Sequence, residues 1–74
     1  MAVPKASGAR VVRALERLGF EKTGGKGGHV KLRKGFHVVI VPQHSEVAPG
    51  TMRSILRRAG IDAETLRDAL YVAV

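Results

Sequence analysis

The sequence predicts an α+β fold: a three-stranded antiparallel sheet with helices packed on one face, in the order α-β-β-β-α-α. Three observations carry this. Apolar residues recur at helical spacing near both ends, at Val11, Val12, Leu15 and Leu18 and again at Met52, Ile55, Leu56 and Ala59. The middle of the chain switches to strict polar–apolar alternation, His29-Val30-Lys31-Leu32-Arg33. The chain is 74 residues long, one domain over 1–74, so the helices are the only cover a small sheet has for its apolar face.

Residues 1–6 read as a short, flexible lead. Ser7 is a good N-cap for an amphipathic helix over about 7–18, with Arg10, Arg13, Glu16 and Arg17 on its polar side. Gly19 closes that helix and lets Phe20 fold back onto it. Residues 20–23 form a short extended run ended by Gly24 and Gly25, and Lys26-Gly27-Gly28 continues the turn. In the strand from His29 to Arg33, Val30 and Leu32 face the core and His29, Lys31 and Arg33 share the open face. Lys34-Gly35 turns the chain into a β-branched strand, Phe36 to Val41, which Pro42 stops. Thr51 caps a second helix that ends at Gly60. Asp62 caps a third, short helix carrying Leu66, Ala69 and Leu70. Register stays open. A two-residue turn at Lys34-Gly35 sets His29 opposite Ile40; a three-residue loop sets it beside Val41, with His37 beside Arg33. The second gathers the polar groups and is preferred.

A chain this short buries only about 60% of the surface its unfolded form exposes. Its core is thin, a deep pocket for a small molecule is not expected, and chemistry belongs on an open face acting on something large. There are no cysteines, which excludes a disulfide framework or thiolate zinc site and suits a reducing cytosol. No apolar run approaches the roughly 20 residues that cross a membrane, and the expected location is cytoplasmic. Thirteen Lys and Arg stand against six Asp and Glu, a net charge of +7. Between Glu21 and Glu46 there is no acid, while Lys22, Lys26, Lys31, Arg33 and Lys34 fall in that window. A field of one sign draws in a polyanion: nucleic acid, an anionic membrane or an acidic protein.

His29 is the most unusual residue. Two glycines precede it, so a ribose-phosphate backbone can approach the peptide closely. Imidazole ordinarily titrates near neutrality and so takes or gives a proton there. RNA carries its own nucleophile, the 2′-hydroxyl, so a base surrounded by cations is enough to cleave it without metal. The competing reading is a surface histidine with no role. His44 lies in the loop after the third strand, where it faces His29 or a phosphate, or simply caps loop backbone. The spacings from His29 to His37 and on to His44 match no metal motif, and the six acids form no paired-carboxylate set. No metal site or other cofactor is called for. Glycines 24, 25, 27 and 28 precede a strand and are not a Walker-type phosphate loop. Arg53 and Arg57 share a stripe of the second helix, for phosphate or an acidic partner, or as a plain solvated face.

Four stretches carry a resemblance: LERLGF at 15–20, KGGHV at 26–30, VPQH at 41–44 and GTMRSILRRAG at 50–60. In order and spacing they resemble a HicA-type mRNA interferase, the toxin of a bacterial toxin–antitoxin pair, from Ser7 to about Leu70. The resemblance implies a fold similar to a double-stranded-RNA-binding domain, metal-independent cleavage of mRNA that arrests translation, and a HicB-type acidic antitoxin that covers the active histidine. That histidine commonly follows Gly-Ser or Gly-Thr, a context that carries over onto His29, with Gly28 in place of the hydroxyl residue. His44 matches a Pro-x-His element of the family.

These readings combine into an endoribonuclease with His29 as the catalytic residue and Lys26, Gly28, Lys31, Arg33, Lys34 and His44 as nucleic-acid contacts. His29, Arg53 and Arg57 face the antitoxin. No membrane partner or small-molecule ligand is expected. A non-catalytic RNA-binding module explains charge and fold equally well, and a protein built mainly to sit in a complex with an acidic partner is the third reading.

Overall fold

A computed structural model describes residues 3–71. The element order is α1 (Gly8–Arg17), β1 (Glu21–Lys26), β2 (His29–Lys34), β3 (His37–Pro42), α2 (Pro49–Ala59) and α3 (Ala63–Leu70). The strands form one antiparallel sheet in the order β1-β2-β3. This is the predicted α+β arrangement.

The helices begin and end for local reasons. The Ser7 hydroxyl accepts a hydrogen bond from the Arg10 amide at 3.2 Å, satisfying one of the free donors of the first turn of α1. At the other end Phe20 N–H reaches back to Leu15 C=O and Gly19 N–H to Glu16 C=O, both at 3.0 Å. That pair of bonds is a Schellman closure, with Gly19 at a φ of 100° and Phe20 buried behind it. The N-terminus of α2 differs from expectation. Thr51 lies inside the helix, and the N-cap is Ala48, which has no side chain to offer. Pro49 at the first helical position replaces the cap, because it has no N–H to satisfy and its φ is preset. Asp62 does cap α3, accepting from the Thr65 amide at 2.8 Å.

Leu32, Val39 and Val41 point to the helices and are fully buried with Val11, Leu15, Met52, Ile55 and Leu66. Each of these side chains contributes on the order of 1.5–3 kcal/mol by leaving water. α2 lies along β3, while α1 packs on α3 and reaches β2 and β3. Arg17 donates to Ala69 C=O at 2.9 Å and Arg10 to Leu70 C=O at 3.3 Å. Two cations of α1 thereby close the carbonyl end of α3, where the helix dipole favours positive charge.

Two further expectations are corrected. The register matches neither alternative: His29 pairs with Pro42, Lys31 with Ile40 and Lys34 with His37. The turn is Gly35-Phe36, with Gly35 at a φ of 59°, which lengthens β2 by one residue and leaves Phe36 fully exposed at the tip rather than starting β3. Gly24 and Gly25 do not end β1; they lie within it, around a bulge at Thr23. In the N-terminal lead, Pro4 and Ala6 pack onto the domain. Both of those residues are buried, and Ala6 C=O accepts from Val47 N–H at 2.9 Å; Met1 and Ala2 lie outside the described residues.

Candidate functional site

Directly opposed residues of an antiparallel pair share a face. The pairing therefore sets His29, Lys31 and Arg33 of β2 on the open side with Val38 and Ile40 of β3. The bulge in β1 decides what joins them. With an unbroken ladder from the Glu21–Arg33 pair, His29 would face Gly25. The extra residue at Thr23 shifts the ladder so that Lys26 pairs with His29 instead. A cation thus stands beside the imidazole because of a backbone irregularity.

Gly25 makes this placement possible. Its φ is 139°, and a Cβ there would overlap the His29 carbonyl oxygen and lie 2.9 Å from Val30 Cα. On the other side the Gly28 carbonyl accepts from Gln43 N–H at 2.6 Å, tying the turn before His29 to the loop after β3. His29 is exposed. It borders a shallow depression of about 480 Å³ with Gly25, Lys26, Lys31 and Ile40. Its ring has no hydrogen bond among the described residues, so both nitrogens are open to a substrate.

Other predicted residues lie elsewhere. Lys34 is turned to the helix side of the sheet. Its ammonium donates to Leu18 C=O at 2.7 Å and sits 5.9 Å from the Phe20 ring centre, so it closes α1 and does not share the face of His29. Arg33 is on that face, opposite Glu21 and Val38, about 13 Å along the strand from His29. His44 is exposed, and its backbone carbonyl accepts from Gly8 N–H at 2.9 Å. His37 is seated against the end of α2, with Nδ1 3.0 Å from Arg58 C=O and its ring beside Gly60. Among the described residues no three His, Cys, Asp or Glu side chains cluster as a metal site would require. Arg53 and Arg57 are exposed on α2, but Arg53 borders a hollow with Pro4, Lys5, Glu46 and Pro49 at the N-terminal lead, away from His29.

Ile40 and Val38 were missed by sequence reasoning. Ile40 is 54% exposed on the open face, because the β-branched run from Val38 to Val41 alternates in burial without alternating in residue type. No helix among the described residues is long and apolar enough to cross a membrane.

The family model for the HicA toxin of bacterial toxin–antitoxin systems matches residues 8–61. The chain belongs to the HicA toxin family. The matched span runs from the first residue of α1 through the whole sheet and α2, and includes His29 with every lining residue of its depression. No match among curated proteins is found. HicA membership makes this chain a toxin of a toxin–antitoxin pair, in a family whose members are generally mRNA interferases.

Proposed function

We propose that this HicA-family protein is a metal-independent endoribonuclease that cleaves mRNA in the cytosol and arrests translation, with His29 as general base and then general acid. The observation that carries the reading is the open imidazole flanked by Lys26 and Lys31 in one depression on a sheet face. In the proposed reaction His29 takes the proton of the RNA 2′-hydroxyl and the 2′-oxygen attacks the adjacent phosphorus. The bond from phosphorus to the 5′-oxygen breaks, and that oxygen leaves with the proton that the His29 imidazolium gives back. The products are a 2′,3′-cyclic phosphate end and a 5′-hydroxyl end. The two ammonium groups offset charge that builds on the phosphorane. Gly28 gives the RNA backbone room, and Arg33 takes a phosphate further along the strand. His44 is retained as a substrate contact and Lys34 is not, since its ammonium is engaged at Leu18. A HicB-type acidic antitoxin neutralises the toxin by covering His29 and engaging Arg53 and Arg57.

Inducible expression of the wild type and His29→Ala tests this. The wild type arrests growth and fragments mRNA, while the variant does neither yet still binds RNA. Undiminished toxicity of His29→Ala sinks the proposal. Loss of cleavage in chelator, restored by a divalent metal, refutes the mechanism.

A further inference from the structure

The depression at His29 does not end at Ile40. That side chain is also a wall of a second groove, of about 290 Å³, between β3 and α2, lined by Val38, Ile40, Thr51, Ser54, Ile55 and Arg58. Ile40 lies diagonally across the ladder from His29, a separation of roughly 7–8 Å. The two hollows therefore adjoin at Ile40.

The lining of the second groove is unlike that of the first. Val38, Ile40 and Ile55 give it apolar walls. Thr51 and Ser54 are half-buried, one turn apart on α2, and their hydroxyls have no hydrogen-bond partner among the described residues. Arg58 supplies a cation at the rim. An acidic protein segment would want several cations here, and the lining offers one, Arg58. A nucleotide fits each part: the faces of its base pack against apolar side chains, the base edge carries donors and acceptors that hydroxyls match in either sense, and its phosphate suits the arginine.

Resting on the ribonuclease reading of His29, the geometry points to the β3–α2 groove as a base-selective subsite for single-stranded RNA. It holds one base next to the scissile phosphate, with Thr51 and Ser54 reading its edge and Arg58 holding its phosphate. Sequence preference at the cut is then set on α2, apart from the catalytic residue.

The test measures binding on a His29→Ala background, so it does not depend on cleavage. Short single-stranded RNAs differing at one position are titrated against this chain and against the same chain carrying Thr51→Val and Ser54→Ala. The parent is expected to discriminate between bases at one position by roughly tenfold, the worth of one or two hydrogen bonds. The double variant loses that discrimination while keeping its circular dichroism spectrum, and Arg58→Ala weakens all the RNAs alike. A parent without base preference, or a double variant that keeps it, overturns the subsite. So does a double variant that binds every RNA unchanged but loses affinity for an acidic protein partner. If the His29-bearing chain fails to cut RNA while base discrimination behaves as stated, the catalytic reading falls and the groove stands as an RNA-binding site.

Discussion

A methyl group on Gly25 would press on the carbonyl of His29 and on Val30 Cα at 2.9 Å, both backbone atoms of β2 that cannot swing aside. Gly25→Ala therefore separates β1 from β2 beside the proposed base. The expected result is a loss of stability of ~1–3 kcal/mol, as for overpacking. Single-turnover cleavage should fall tenfold or more, since a displacement of about 1 Å in a reacting group carries penalties of that order. Thermal unfolding and a cleavage time course measure the two. Gly24→Ala meets no atom within 4 Å, although its φ of 158° strains a side chain there too; without the clash with β2, its effect on both should be smaller. The exposure of His29 and Lys31 is legible at this scale, because alternation from Val30 to Leu32 fixes the face. The diversion of Lys34 is not legible: it depends on β2 running one residue past Arg33, which reverses the side on which residue 34 projects.

At the scale of elements, α1 is pressed on the loop after β3. A Cβ on Gly8 would collide with the Pro42 carbonyl and come within 2.8 Å of Gln43 Cα. Alanine in a helix is favoured over glycine by roughly 0.5–1 kcal/mol, but overlap with fixed backbone costs ~1–3 kcal/mol. The clash wins, and Gly8→Ala is predicted to lower the urea midpoint of unfolding. α3 carries a pH dependence. The Asp62 carboxyl is held below its ordinary range by hydrogen bonds from the Thr65 hydroxyl and then from the Thr65 amide. Because the folded state favours the carboxylate, this contribution is complete above the ordinary carboxylate range and is lost as pH falls through the depressed one. Asp62→Asn keeps a capping oxygen that does not titrate. Its melting temperature should fall less on acidification than that of the wild type, measured by thermal scans from neutral to acid pH. The helices were legible because caps and periodicity agree for α1 and α3. Only the start of α2 escaped, since Ala48 gives no capping signal. Sheet register was not legible, because an exposed phenylalanine in a turn contradicts its usual preference for a strand.

Taken as a whole, the molecule carries a net charge of +7, with Lys26, Lys31 and Arg33 sharing one face. RNA affinity should therefore depend on salt. If those three side chains each neutralise one phosphate, the logarithm of the association constant falls against the logarithm of salt concentration with a slope of about −2 for a single strand. Titrations of His29→Ala at several salt concentrations check this, and Lys31→Ala should flatten the slope. A salt-independent affinity would show that the basic face does not engage the backbone.

The bulge at Thr23 has a consequence outside chemistry. β1 is an edge strand with every residue exposed, so its outer backbone groups are a template on which another chain could extend the sheet. Flat, regular edges recruit such partners, whereas bulges and lysines discourage them. The irregularity that carries Lys26 to His29, with Lys22 and Lys26 on the same strand, also spoils the edge as a template. The shift that sets Lys26 opposite His29 thereby makes β1 a poor template for a second copy of the chain.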